Sequence, residues 1–71
     1  MEYHVNMNWD AEACVWIATS EDIVGLVLEG GSADALIERA RNAVPELLAL
    51  NRQPSASAIT FRFERSVGMS A

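Results

Sequence analysis

The 71-residue chain has one cysteine, one histidine and no lysine, and each shortage closes off a class of function. Cys14 alone forms no intrachain disulfide, so a disulfide-stapled secreted scaffold is excluded. His4 and Cys14 are too few to supply a nucleophile, a base and a third group that orients the base. All five cations are arginines, at positions 39, 41, 52, 62 and 65, so residues 1–31 hold no lysine or arginine. A phosphate-binding surface draws its affinity from clustered cations. The net charge of −5 and the pI near 4.5 therefore speak against direct nucleic-acid binding. No apolar run approaches the roughly 20 residues that span a bilayer, and the N-terminus has no charged start leading into an apolar stretch, as a signal peptide would. A reducing cytoplasm is the expected compartment.

What is present is organised around residues 32–50, which have the pattern of one amphipathic helix. Ala33, Leu36, Ile37, Ala40, Ala43, Val44, Leu47, Leu48 and Leu50 share one side of a helical wheel, with Asp34, Glu38, Arg41, Asn42, Pro45 and Glu46 on the other. A face that broad requires a sheet to cover. Ser32 is a suitable N-cap, and Asp34 complements the positive end of the helix dipole. Pro45 removes one helical hydrogen bond, but it does so on the polar side, where water can reach the freed Arg41 carbonyl.

Before the helix, residues 3–9 alternate strictly, with Tyr3, Val5, Met7 and Trp9 on one face and His4, Asn6 and Asn8 on the other. Residues 10–13 have the length and polarity of a hairpin loop, and residues 14–19 form a nearly unbroken apolar strand. A four-residue loop there sets Trp9 opposite Cys14, Met7 opposite Trp16 and Val5 opposite Ala18, which places Trp16 in the core and Val15 and Ile17 outside. A loop of three or five residues exchanges the two sets, and the sequence leaves that parity open. In either case the second strand is apolar on both faces, as expected of a strand covered twice. Residues 20–24 bend the chain into a third strand at 25–29, and Gly30-Gly31 offers the freedom to turn into the helix. After it, residues 57–65 alternate again and present Ile59, Phe61 and Phe63 to one face.

The expected fold is α+β, in two layers, with element order β-β-β-α-β. An antiparallel meander followed by a right-handed helical crossover lays the fourth strand beside the first, in sheet order 3-2-1-4. The domain spans residues 1–65, and residues 66–71 form a disordered tail. A chain of this size is near the lower limit for one hydrophobic core, and an edge strand bearing Phe61 and Phe63 invites pairing with a second copy. Homodimerisation is therefore expected, with Val15, Ile17, Ile59, Phe61 and Phe63 as the partner or dimer contact residues.

Local chemistry is sparse. His4 falls on the polar face, where a solvent-exposed imidazole is ordinary. Asp10, Glu12, Asp22 and Glu29 offer the hard oxygens that divalent metals prefer, but they occupy separate turns without ligand spacing and form an acidic rim. Gly30-Gly31-Ser32 precedes a helix N-terminus without a phosphate-binding glycine motif. Trp9 and Trp16 lack a basic surround and belong with the core. No catalytic residue, cofactor or metal is expected. The six acids of residues 1–31 make either a solubilising surface or a face for a basic partner.

The run from Trp9 to Ala18, the turn Asp22-Ile23-Val24-Gly25 and the Ala- and Leu-rich helix together resemble the short HicB-like proteins. In that family an aromatic-valine-alanine strand leads through an Asp-hydrophobic-Pro-Gly turn into such a helix; Val24 stands here where the family favours proline. The resemblance covers about two-thirds of the chain. It implies a partly degraded RNase H-like fold and the role of an antitoxin, which dimerises and covers a small basic RNA-cleaving toxin of the HicA type. Many HicB antitoxins also carry a C-terminal DNA-binding domain, and no such pattern occurs in these residues, so operator binding is not implied. The alternative expectation is a homo-oligomeric structural or regulatory domain with no toxin partner.

Overall fold

The computed structural model describes residues 1–69. Period-two alternation at the start of the chain becomes strand β1 (Glu2–Asp10), and the apolar run after it becomes β2 (Val15–Thr19). The two are antiparallel, with Met7 opposite Ala18 and Trp9 opposite Trp16. Their loop has the expected four residues but sits one position later, at 11–14. Two residues account for the slide. Asp10 Oδ1 accepts hydrogen bonds from the amides of Glu12 (3.0 Å) and Ala13 (3.3 Å), a turn that begins at the aspartate. Cys14 adopts φ 54°, in the left-handed region, so it closes the turn instead of opening the strand. Trp9 therefore meets Trp16 and not Cys14. The slide moves the pairing by two positions, so the side-chain faces are those of a four-residue loop. Trp16 shares the face of Met7, and Val15 and Ile17 share the other.

Strand β3 (Val27–Gly30) begins two residues later than the sequence pattern indicates and pairs antiparallel with β2, Ala18 opposite Leu28. The left-handed glycine is Gly25, at φ 82°, not the Gly30-Gly31 pair. Gly25 is the third residue of a tight turn in which the Leu26 amide donates to the Ile23 carbonyl at 3.4 Å, and Gly30 is ordinary extended strand opposite Trp16. The turn makes the 20–26 segment part of the core. Ile23 is fully buried and Leu26 is 2% exposed.

Helix α1 (Ala33–Leu50) begins at the Ser32 cap, whose Oγ accepts from the Ala35 amide at 3.3 Å. Its buried line is Leu36, Ala40, Val44 and Leu48, spaced by four. Leu50 departs from expectation and is 79% exposed. It sits at the margin of the apolar stripe, roughly 200° around the helix from Leu48. The helix ends in a Schellman turn. The Gln53 amide donates to the Leu48 carbonyl (2.8 Å) and the Arg52 amide to that of Ala49 (3.2 Å), with Arg52 at φ 54° in the position glycine usually takes.

Strand β4 (Ala58–Glu64) then runs parallel to β1, with Tyr3 opposite Ile59 and Met7 opposite Phe63. The sheet order is β3-β2-β1-β4, the α+β arrangement expected, and β4 is an edge. Tyr3, Val5, Met7 and Ala18 pack with Leu36, Val44 and Leu48 into one core between helix and sheet. Tyr3 carries its hydroxyl to the Pro54 carbonyl at 2.6 Å and so ties the start of the sheet to the end of the helix. Residues 66–69 are outside any strand or helix, and residues 70 and 71, the end of the expected tail, lie outside the described residues.

Candidate functional site: the uncovered sheet face and the open edge

One helix covers one face of four strands, so the sheet has an inner face under α1 and an outer face that no helix or strand of the described residues covers. Alternation places Val15 and Ile17 on the outer face, half-buried by their neighbours, with Val27 beside them at 69% exposure. The same alternation puts Glu2, Asp10, Glu29 and Glu64 on that face, against one arginine, Arg62. An apolar centre thus lies among carboxylates.

Near one end of the outer face, His4 and Asp22 are joined. The His4 amide donates to Asp22 Oδ2 at 2.9 Å, and His4 Nδ1 lies 3.3 Å from the same oxygen. The amide hydrogen bond is the main cause that holds the Asp22 carboxyl below the usual carboxylate range; partial desolvation opposes it, and the His4 ring and Arg62 add to it. Ser20 organises the loop that brings Asp22 here. Its hydroxyl donates to the His4 carbonyl (2.6 Å) and accepts from the amides of Asp22 (3.0 Å) and Ile23 (3.1 Å). With the hydroxyl so engaged, the arrangement is a backbone clasp and not a nucleophile facing a histidine. His4 is therefore not the isolated surface imidazole that alternation alone indicates. Among the described residues no three of His, Cys, Asp or Glu converge as a metal site. Asp10, expected in the acidic rim, caps its own hairpin turn.

The inner face is incompletely covered. Ile59 and Phe61 are half-buried, while Phe63 is 52% exposed. Between α1 and β4 runs an open groove of about 530 Å³, walled by Val44, Pro45 and Leu48 on the helix and Ala56, Ile59 and Phe61 on the other side. Pro45, which the wheel sets on the polar side of the helix, forms part of this wall. Toward the hairpin end, Trp16 lies edge-on between Trp9 (5.4 Å between ring centres) and Phe63 (5.7 Å), and the Arg65 guanidinium sits 4.4 Å from the Trp9 ring. Both tryptophans are half-buried rather than core residues, and Trp9 has a cation over it.

The five contact residues expected from the sequence therefore fall on two separate surfaces. Val15 and Ile17 lie on the outer face; Ile59, Phe61 and Phe63 lie on the inner face along the open edge. Sequence reasoning passes over Val27, although it is a large apolar residue in a strand, and Arg65, which continues the alternation of Ile59, Phe61 and Phe63. It also misses the His4–Asp22 pair, which only a loop folding back across 18 residues creates. Among the described residues no helix is long and apolar enough to cross a membrane.

Comparison with known proteins agrees with this fold. The crystal structure of the hypothetical protein TTHA1013, from the extremely thermophilic bacterium Thermus thermophilus, is similar over 100% of both chains, with 31% identity and a TM-score of 0.77. No curated protein matches the chain. A family model described as a domain of unknown function, DUF1902, matches residues 2–70, and the chain belongs to that family.

Proposed function

We propose that this chain is a non-enzymatic protein-interaction module, and that it acts in the cytoplasm as an antitoxin of the HicB type, covering a small basic RNA-cleaving protein with its outer sheet face. The observation that carries this reading is the uncovered face itself. Val15, Ile17 and Val27 give an apolar centre, and Glu2, Asp10, Glu29 and Glu64 surround it. An apolar centre with a charged rim is the anatomy of a protein interface. Carboxylates on that rim speed association with a basic partner and exclude acidic ones. The resemblance of residues 9–50 to HicB-like proteins supports the choice of partner class. The alternative, a homo-oligomeric domain with no toxin, is favoured by a different observation, the open β4 edge.

The test is coexpression with the product of an adjacent reading frame that encodes a small basic protein carrying a histidine. The reading predicts that this product arrests growth alone, that coexpression restores growth, and that the two proteins copurify in a salt-sensitive complex. A harmless neighbour, or one that does not bind, refutes the antitoxin reading and leaves the homo-oligomeric one.

A further inference from the structure

We propose that two copies of the chain join through their β4 edges, antiparallel and centred on Phe61, and that each copy's Val67 and Met69 fill the groove between α1 and β4 of the other. This inference uses the inner face and the edge, so it stands apart from the basic-partner reading of the outer face.

Among the described residues the backbone of β4 is paired only with β1, which leaves a seven-residue edge unpaired, and the strand contains no proline or lysine to discourage pairing. The groove beside it has apolar walls that this chain's own helix does not close. Beyond Glu64 the chain runs on with Val67 at 72% and Met69 at 90% exposure. The molecule is correspondingly elongated, 49 × 18 × 17 Å.

Two-fold symmetry and the need to keep apolar side chains on one face leave few registers. Centring on Phe61 pairs the whole strand: Ala58 with Glu64, Ile59 with Phe63, Thr60 with Arg62, and Phe61 with its own copy. Centring on Arg62 sets two guanidinium groups against each other, which disfavours it. Centring on Phe61 instead lays Arg62 beside the uncharged Thr60 and keeps the two guanidinium groups apart.

The same register decides where the C-terminal residues go. Past the end of β4, Arg65 falls opposite Ser57 of the second copy, Val67 opposite Ser55 and Met69 opposite Gln53. Ser57, Ser55 and Gln53 all line the groove. Once pairing extends the strand through residues 65–69, odd-numbered positions continue the face of Ile59, Phe61 and Phe63, which aims Val67 and Met69 at the groove. Two exposed apolar side chains beyond β4 thus meet an uncovered apolar groove.

The experiment combines sedimentation with cysteine cross-linking in a Cys14→Ser background. The wild type is expected to sediment at twice 7.8 kDa. Val67→Asp with Met69→Asp, both exposed and so harmless to the monomer fold, is expected to weaken the dimer about tenfold or more. Under oxidation, a mixture of Thr60→Cys and Arg62→Cys chains is expected to give a covalent heterodimer, and neither chain alone a covalent homodimer. A monomeric wild type, self-linking of Arg62→Cys, or an unchanged dimer in the double variant overturns the proposal.

Discussion

Truncating Ile23 probes whether the 20–26 loop is a structural lid or a mere connection. Ile23 is 0% exposed, while its neighbour Val24 is 62% exposed. Ile23→Ala removes three carbons from the core, about 2 to 2.5 kcal/mol at roughly 0.8 kcal/mol per buried group. The cavity left behind raises the loss to about 3 kcal/mol. Val24→Ala removes carbons that already meet water and is expected to change stability by less than about 0.5 kcal/mol. Urea unfolding followed by circular dichroism, at one fixed protein concentration so that self-association contributes equally, reads both. Thermal unfolding should show Ile23→Ala lower by on the order of 10 to 20 °C. Equal midpoints for the two variants would refute the claim that this loop closes the core.

Three further outcomes rest on particular contacts. Arg52→Gly relieves a left-handed residue at the helix end and is expected to stabilise the fold by about 1 kcal/mol, measured by the same unfolding experiment. Asp22 is held below the usual carboxylate range mainly by the His4 amide, so the unfolded chain takes up its proton first as pH falls. Its contribution is full at neutral pH and is lost as pH drops through about 4 and below. Wild type should therefore exceed Asp22→Asn in stability near neutrality, with the gap narrowing in acid; a gap that widens in acid contradicts the contact. Phe63→Asp, at a 52% exposed position on the open edge, should leave the monomer folded and shift the sedimentation of the protein toward monomer.

Much of the fold follows from short-range pattern. Strict alternation in β1 and β4 and the four-residue spacing of Leu36, Ala40, Val44 and Leu48 are local consequences of strand and helix geometry, and together they lead to the 3-2-1-4 order. The hairpin is displaced by one residue because Asx-turn bonding at Asp10 and the left-handed Cys14 compete with an apolar pattern that would start the strand at Cys14. Ile23 and Leu26 are not recognisable as core residues from the sequence, since their burial depends on a turn and not on any periodicity. The outer-face position of Val15 and Ile17 depends on hairpin parity, which the pairing of Trp9 with Trp16 resolves. The His4–Asp22 contact and the groove beside β4 arise from segments distant in the chain, for which no local signal exists.

The central claim is that the outer sheet face receives a basic protein while the β4 edge does not. Calorimetric titration of the adjacent basic gene product into wild type, Ile17→Lys and Phe63→Asp tests it most directly. The account predicts that wild type and Phe63→Asp bind with similar affinity and that Ile17→Lys binds at least about tenfold more weakly, a charge set in the apolar centre of the face. Equal binding by Ile17→Lys and wild type would contradict it.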